Sequence, residues 1–199
     1  MTLLEEIPSE TFHEASIPVL ETERLTLRAP RFADAKTVAT LANDRRIAEN
    51  TARIPHPYNT SDAEGFIAGA NKAGGECVFL ITLRDGTVIG ACGIVRQDGA
   101  PELGYWLGVG YWGKGYATEA LHALIDYAFD DLELDALHAG ARVTNPASRR
   151  VLEKCGFQWT GVGLYRINSI RSSAPIDRFR LERGIWSAIK RWASLKRAM

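Results

Sequence analysis

The sequence predicts an α+β fold built as three α/β layers, with a mixed central sheet of about six to seven strands and helices on both faces. One observation is the order of the segments: alternating apolar residues mark strands and helically spaced apolar residues mark helices, in the order βααβββαβαββ. The second is a helix that links the predicted strands 102–107 and 136–144, because a strand–helix–strand crossover makes its two strands parallel. The third is size, since 199 residues with 46% hydrophobic content suit one domain with one core.

The elements of the first half follow a polar segment, residues 1–20, that we expect to be loosely ordered. Alternation over 25–28 predicts the first strand, and apolar residues at helical spacing over 31–43 predict the first helix. An irregular segment, 44–59, precedes a second helix that begins at the capping sequence Thr60-Ser61-Asp62 and runs to about residue 72. Three strands with tight turns between them come next, spanning 76–83, 88–96 and 102–107.

The second half begins with an amphipathic helix whose apolar stripe is formed by Ala117, Ala120, Leu121, Leu124, Ile125 and Ala128. After the strand 136–144, Asn145 suits a helix N-cap and Pro146 the first helical position, and Gly156 ends that helix. A closing hairpin is then predicted from two segments, 157–168 and 177–181. We therefore divide the chain into the loosely ordered segment 1–20, a folded domain 21–184 and a basic C-terminal helix 185–199.

Composition argues against several classes of protein. Lys and Arg total 24 and Asp and Glu total 24, so the formal net charge is zero, which argues against a nucleic-acid-binding protein. Three widely spaced cysteines form no Cys-x-x-Cys pair, and four scattered histidines show no metal-ligand spacing. The sequence has neither a long apolar run nor a signal-like start. We expect a cytoplasmic protein without metal, nucleic-acid or membrane partners, as a monomer or homodimer.

The most informative segment is the glycine-rich turn between the strand 102–107 and the helix that begins near residue 116. A strand, a glycine-rich turn and a helix N-terminus, in that order, aim several backbone N–H groups and the positive end of a helix dipole at one point in space. Such a point binds phosphate. The segment therefore predicts a phosphate-containing ligand.

Three motifs compete for this turn. Residues 108–113 match the Gly-x-Gly-x-x-Gly fingerprint of dinucleotide sites, but the next strand ends at Asn145 without the carboxylate that the fingerprint needs. Residues 108–114 match most of a P-loop, but Gly115 stands where Ser or Thr would ligate Mg²⁺. A third motif begins at Trp112, and a tight turn that binds no ligand is the remaining alternative.

The third motif, Trp-Gly-Lys-Gly-Tyr-Ala-Thr-Glu-Ala at 112–120, resembles motif A of the GNAT N-acetyltransferase superfamily in its RimJ/RimL-like branch. The superfamily signature is Gln/Arg-x-x-Gly-x-Gly/Ala; Gly115 and Ala117 fit it, whereas Trp112 replaces Gln/Arg. The resemblance covers roughly residues 20–184 and implies the GNAT fold, with the sheet splayed between the fourth and fifth predicted strands (102–107 and 136–144).

The resemblance also implies acetyl-CoA as co-substrate. Its pantetheine arm would enter the splayed gap, its pyrophosphate would bind backbone N–H groups after the fourth strand, and its thioester oxygen would accept from the N–H of Leu107 or Val109. The cofactor-binding residues implied are Leu107, Gly108, Val109, Trp112, Gly113, Lys114, Gly115, Tyr116, Ala117, Thr118, Asn145 and Arg150.

Two residues are candidates for the chemistry of acetyl transfer. Glu102 lies on the strand that leads into the turn, and alternation places it on one face with Gly104 and Trp106. We predict it to be the base, acting directly or through water, against the alternative of a solvated carboxylate. Many members of the superfamily carry a tyrosine acid at the position that Leu152 occupies here. Ser148 lies one helical turn earlier, and the resemblance places it near the CoA sulfur, where it would stabilise the thiolate.

The acceptor is expected to be an amine bound near Asn50, His56, Tyr58 and Tyr105, although Tyr105 also suits the core. An α-amine has a pKa near 8 against about 10.4 for lysine, so more of it is deprotonated at neutral pH. The sequence therefore predicts an acetyl-CoA-dependent N-acetyltransferase acting by direct attack, on a peptide or protein N-terminal amine. Two alternatives stay open: a small-molecule (polyamine or antibiotic) acetyltransferase and a non-catalytic acyl-CoA sensor.

Overall fold

The structure, a computed structural model, describes residues 17–70, 77–97 and 100–197. The described residues form eight strands and six α-helices. In chain order these are β1 (Leu20–Glu21), β2 (Leu25–Arg28), α1 (Ala35–Ala42), α2 (Arg45–Ala48), α3 (Thr60–Ala70), β3 (Cys77–Leu83), β4 (Val88–Gln97), β5 (Ala100–Leu107), α4 (Tyr116–Asp130), β6 (Ala136–Arg142), α5 (Pro146–Lys154), β7 (Gln158–Ile167), β8 (Ser172–Glu182) and α6 (Arg183–Arg197).

The strands form one mixed sheet in the order β1-β2-β3-β4-β5-β6-β8-β7. Neighbouring strands are antiparallel except for β5 and β6, which are parallel as the crossover through α4 predicts. The α+β fold with a mixed sheet is confirmed. The sheet has eight strands rather than six to seven because Leu20–Glu21 adds a two-residue strand that pairs with β2. Two residues are too few to produce a detectable alternation.

The sheet splits between β5 and β6, the fourth and fifth predicted strands. They pair at only two positions, Glu102 with His138 and Leu103 with Ala139. Over the rest of both strands, which the structure describes in full, no further pair forms between them. β5 stays paired with β4 along its whole length, and β6 stays paired with β8. The two halves of the sheet therefore diverge toward the carboxyl ends of β5 and β6, as the resemblance implied.

Helices cover both faces of this sheet. On one face, α4, α5 and α6 bury the main core, to which Leu124, Leu152 and Trp186 contribute. On the other face, α1 and α3 pack on β3 and β4 through a second cluster that includes Val38 and Ile67. The helices on each face are apolar on the side that packs against the sheet, which is the pattern that helical spacing predicts.

Local start and stop signals mostly agree with the structure. The Asn145 side chain accepts from the N–H of Ser148 (3.1 Å) at the start of α5, and Gly156 ends that helix with a φ of 85°. The segment 44–59, expected to be irregular, contains the one-turn helix α2, which Asp44 caps. The predictions for residues 1–16 and for the segment 71–76, where α3 was expected to end, lie outside the described residues.

Candidate active site

The split exposes main-chain groups of β5. The N–H of Gly108 donates to the carbonyl of Ile89 on β4 (2.8 Å), so Gly108 belongs to a hydrogen-bonded pair of that ladder. Such pairs alternate with non-hydrogen-bonded ones, and the N–H and C=O of Leu107 therefore point away from β4. Because β6 has diverged at this level, they face the gap. The indole N–H of Trp112 donates to the Leu107 carbonyl (2.7 Å), which is consistent with this orientation.

The glycine-rich turn depends on two left-handed residues. Gly113 and Gly115 have φ angles of 73° and 82°, values that cost L-residues with side chains about 1–2 kcal/mol. Gly115 is the N-cap of α4 and offers no side-chain cap. The first hydrogen bond into the helix runs from the N–H of Glu119 to the Gly115 carbonyl (3.1 Å). The N–H groups of 116–118 thus precede the intrahelical ladder, at the positive end of the dipole.

Arg24, which precedes β2, braces this turn. Its Nε contacts Glu119 Oε2 at 2.6 Å, its Nη1 donates to the Lys114 carbonyl at 3.0 Å, and its guanidinium lies 4.7 Å from the Tyr116 ring centroid. Burial opposes ionisation of Glu119, but hydrogen bonds from Thr22 and Arg24 outweigh it and lower the pKa of that carboxyl. Sequence reasoning missed Arg24, because no local pattern connects residues 90 positions apart.

The remaining predicted cofactor-binding residues lie in different environments. Gly108, which the resemblance has serving the cofactor through its backbone, has its N–H in the β4 ladder, and its carbonyl accepts from Tyr111 (2.9 Å). The Nζ of Lys114 donates to the Gly110 carbonyl at 2.8 Å. Arg150 is exposed on α5, one position after Arg149, which is paired with Glu153.

A cavity of about 870 Å³ adjoins the split. Its walls come from α3, from the loop 50–55, and from Tyr165 and Asn168 near the β7–β8 turn. Its floor is the face of β4, β5 and β6 opposite the main core. The cavity also reaches Ser148 and Leu152 on α5. It therefore joins the face that carries α1 and α3 to the gap through which β5 and β6 diverge.

Glu102 stands at the floor of this cavity. Trp106 packs with the α1–α3 cluster whereas Leu103 lies in the main core, which confirms the predicted alternation along β5. Two residues further along β5 the floor carries no side chain at Gly104 or at its cross-strand partner Gly93, and both glycines line the cavity. A Cβ on Gly104 would meet nothing within 4 Å. Gly104 therefore leaves room for a substrate group near the carboxylate.

Gly140 on β6 is the third glycine of the cavity floor, and it shows where the carboxylate of Glu102 lies. A Cβ at Gly140 would lie 3.8 Å from Glu102 Oε1 and 2.9 Å from Ile176 Cγ2. Glu102 belongs to the paired part of β5 and β6, and Gly140 directly follows that part on β6, where the two strands begin to separate.

Ser148 and Tyr105 meet across the gap. The Tyr105 hydroxyl donates to Ser148 Oγ at 3.0 Å, although the two residues lie on different elements 43 positions apart. Burial raises the pKa of Tyr105 to about 12, an effect that the hydrogen bond to Ser148 partly offsets. Leu152, at the position of the superfamily's tyrosine, is 1% exposed and belongs to the main core. Hydroxyl groups thus reach the gap from β5 and from the start of α5.

The predicted acceptor residues are only partly brought together. Asn50, Tyr58 and Tyr105 line the cavity, as does Glu102. Burial raises the pKa of Tyr58 to about 12. His56, the fourth residue expected near the acceptor, is exposed and is not among the residues that line the cavity. A histidine in an irregular segment has no periodicity that would give its direction.

Arg142 is one of the cavity residues that the sequence analysis did not predict. Arg142 lies on the cavity face of β6, its Nη1 donates to the Glu49 carbonyl (2.6 Å), and its Nε is buried without a hydrogen-bond partner. The alternation of His138, Gly140 and Arg142 on one face of β6 is the signal that would have predicted Arg142.

The loop 50–55 of the cavity wall is held by the β7–β8 turn, because the N–H of Asn168 donates to the carbonyl of Ala52 (3.0 Å).

Neither a metal centre nor a membrane span is found in the part of the chain that the structure describes. No group of three or more His, Cys, Asp or Glu side chains is placed there to hold a metal ion. None of the described helices has both the length and the apolar content needed to cross a membrane.

Comparison with known proteins agrees with this architecture. Residues 24–158 match the family model described as "Acetyltransferase (GNAT) domain". The N-acetyltransferase p20 of Bacillus licheniformis is 35% identical over 149 residues, which cover 72% of this chain and 84% of p20. The match to the family model spans more than half of the chain, so the split sheet and glycine-rich turn are those of a GNAT acetyltransferase.

Two solved structures share the fold. RimL, a ribosomal L7/L12 alpha-N-protein acetyltransferase solved with coenzyme A, has a TM-score of 0.72 at 17% identity, covering 83% of this chain and 98% of its own. Spermidine N-acetyltransferase from Vibrio cholerae, solved with CoA and spermine, has a TM-score of 0.70 at 23% identity, covering 83% and 99%. This chain belongs to the GNAT family and is an acetyl-CoA-dependent N-acetyltransferase.

Proposed function

We propose that this enzyme transfers the acetyl group of acetyl-CoA to the N-terminal α-amine of a peptide or protein. The observation that carries the proposal is the continuous cavity, which runs from Glu102 on one face of the sheet to the gap beside Tyr105 and Ser148. An acceptor on the floor glycines and a thioester in the gap would then meet next to one carboxylate.

The glycine-rich turn suits the pyrophosphate of acetyl-CoA. Left-handed glycines at 113 and 115 bring the backbone close without a Cβ, and the N–H groups of 116–118 lie at the positive helix end. Trp112 stands in this turn at the position where the superfamily signature has Gln or Arg. Arg24, from outside the turn, supplies a guanidinium beside it. The N–H of Leu107, which faces the gap, would donate to the thioester oxygen as negative charge develops on it.

Glu102 would act as the base, directly or through water. The amine nitrogen attacks the thioester carbonyl carbon, the C–N bond forms, and the C–S bond breaks with its electron pair leaving on sulfur. The proton lost by the nitrogen passes to Glu102 or to water beside it. An α-amine needs little help, because its pKa lies near neutrality.

The charges of the cavity favour a peptide amine over a polyamine. The lining carries two arginines, Arg53 and Arg142, against two carboxylates, Asp62 and Glu102. A polycation would be favoured by an excess of carboxylates. RimL, which has the same fold, is named for a protein α-amine, whereas spermidine N-acetyltransferase is named for a polyamine. The fold serves both classes, and the balanced charge of the cavity is the observation that supports a peptide acceptor.

The test compares Glu102→Gln with the wild type on a panel of N-terminal peptides, spermidine and an aminoglycoside, by release of CoA thiol. We expect peptides to be the better acceptors and the variant to lose about 10²–10⁴-fold in kcat/KM at unchanged acetyl-CoA affinity. The control is Glu64→Gln, the same change at an exposed carboxylate of α3 outside the cavity lining. Acetyl-CoA binding without turnover on any acceptor would favour the sensor alternative, and faster turnover of spermidine the small-molecule one.

A further inference from the structure

The hydrogen bond between Tyr105 and Ser148 fixes the direction of a hydroxyl in the gap. Tyr105 packs against the main core, and its Oη donates to Ser148 Oγ at 3.0 Å. The N–H of Ser148 is also engaged, because it donates to Asn145 Oδ1 at 3.1 Å. The Ser148 hydroxyl is thereby held by Tyr105 on β5, and the Ser148 backbone N–H is held by Asn145 at the N-cap of α5.

A serine hydroxyl has one hydrogen and two acceptor lone pairs. When Ser148 Oγ accepts from Tyr105, its own hydrogen remains to be donated to a third group. Ser148 lines the cavity that opens to the gap, where the proposed function has the thioester. Position 152 holds a buried leucine, so this helix carries no tyrosine hydroxyl at that position.

We propose that Tyr105 is a positioning residue for acetyl transfer, whose hydroxyl orients Ser148 so that the serine hydrogen is donated to the sulfur of the departing CoA thiolate. This inference rests on the proposed function, because it needs the thioester in the gap. Charge develops on sulfur as the C–S bond breaks, and a donor aimed in advance stabilises that charge without reorganising.

The pair works by hydrogen bonding and not by giving up a proton. The pKa of Tyr105 is raised to about 12, whereas an ordinary thiol has a pKa of about 8.5, so the thiolate is the weaker base of the two anions. The electron pair of the C–S bond stays on sulfur, and the thiol proton is taken from solvent when CoA leaves. Tyr105 and Ser148 keep their own protons throughout.

The experiment measures the affinity of CoA and of desulfo-CoA between pH 7 and pH 9.5 for the wild type, Tyr105→Phe, Ser148→Ala and the double variant. In the wild type, CoA should gain affinity over desulfo-CoA as its thiol ionises. We expect this preference to fall about two- to tenfold in Tyr105→Phe and about tenfold or more in Ser148→Ala. The affinity for desulfo-CoA should stay the same, because it has no sulfur to sense the hydroxyl.

The double variant tests whether Tyr105 acts through Ser148. If it does, adding Tyr105→Phe to Ser148→Ala causes no further loss of the preference for CoA. Tyr127→Phe serves as the matched control, because it removes a tyrosine hydroxyl on α4 that lies outside the cavity lining. Thermal unfolding midpoints confirm that each variant is folded.

The outcomes separate this inference from the proposed function. Failure of the wild type to bind either CoA or desulfo-CoA would refute the proposed function itself. Binding of both ligands with an unchanged preference in Tyr105→Phe would overturn the role of Tyr105 alone. Additive losses in the double variant would also overturn it, since the tyrosine would then act independently of the serine.

Discussion

Adding a side chain at Gly104, on the floor of the cavity, should stabilise the protein, and a large enough side chain should also impair its activity. In Gly104→Ala the new methyl group meets no atom within 4 Å, and Gly104 is not among the glycines with positive φ. A glycine inside a strand is about 0.5–1 kcal/mol less favourable than alanine, because it loses more backbone freedom on folding. We therefore expect the free energy of unfolding to rise by that amount and the Tm to rise by about 1–4 °C.

The larger substitution Gly104→Val places two more methyl groups beside Glu102. It should displace the acceptor from the carboxylate and lower kcat/KM for the best acceptor of the panel about 10- to 100-fold. Acetyl-CoA affinity should stay within about threefold, because the pyrophosphate turn and Leu107 lie beyond this position. The assays are thermal unfolding, thiol release at varied acceptor concentration, and calorimetric titration with acetyl-CoA.

The cross-strand partner of Gly104 provides the matched control. A Cβ on Gly93 would lie 2.7 Å from the carbonyl oxygen of Cys77 and 3.1 Å from the Cα of Val78. The backbone of β3 would have to move, so Gly93→Ala should destabilise the protein by about 1–3 kcal/mol. The reasoning is refuted if Gly104→Ala lowers the Tm, and an unchanged acceptor KM and kcat in Gly104→Val would show that the acceptor binds elsewhere.

Two further predictions concern the phosphate turn and the dependence of stability on pH. Gly115→Ala puts a side chain at φ 82°, so we expect a loss of about 1–2 kcal/mol, a Tm lower by about 2–8 °C and weaker acetyl-CoA binding, whereas Gly110→Ala in the same turn should change stability by less than about 0.5 kcal/mol. Equal effects of the two would remove the argument from backbone geometry. Arg28 forms two 2.8 Å hydrogen bonds with Asp34 and thereby lowers the pKa of that carboxyl. The stabilisation is therefore fully present above the unfolded pKa of about 3.9, declines below it and is lost as the pH falls through the lower folded pKa. Asp34→Asn should thus cost about 1.5–3 kcal/mol in urea unfolding at pH 7 and less at pH 3, and an equal cost at both would contradict the ion-pair account.

Most of the fold could be predicted because each element carries a local signal. Asn145 accepts from an N–H three residues away, and such a cap depends on no distant part of the chain. Gly115 is left-handed because the turn requires it, which the glycine-rich sequence indicated. The strand of two residues at Leu20 was missed, since alternation cannot be detected over so short a segment.

The candidate site was predicted only in part, because here too the sequence carries local signals and no information about distant contacts. Alternation along β5 placed Glu102 on one face with Gly104 and Trp106, and the structure has the cavity on that face. It did not give the direction of His56, which lies in an irregular segment. It also left Tyr105 undecided between pocket and core, and the structure shows that the residue contacts both.

The sequence by itself determined the order of strands and helices, the glycine-rich turn and the family to which the turn belongs, because backbone dihedrals and caps respond to residues only a few positions away. The tertiary structure alone decided which distant groups meet: Arg24 with Glu119, Tyr105 with Ser148, and Gly104 with Gly93. These contacts depend on strand register and on how the helices dock, which result from packing of the whole core.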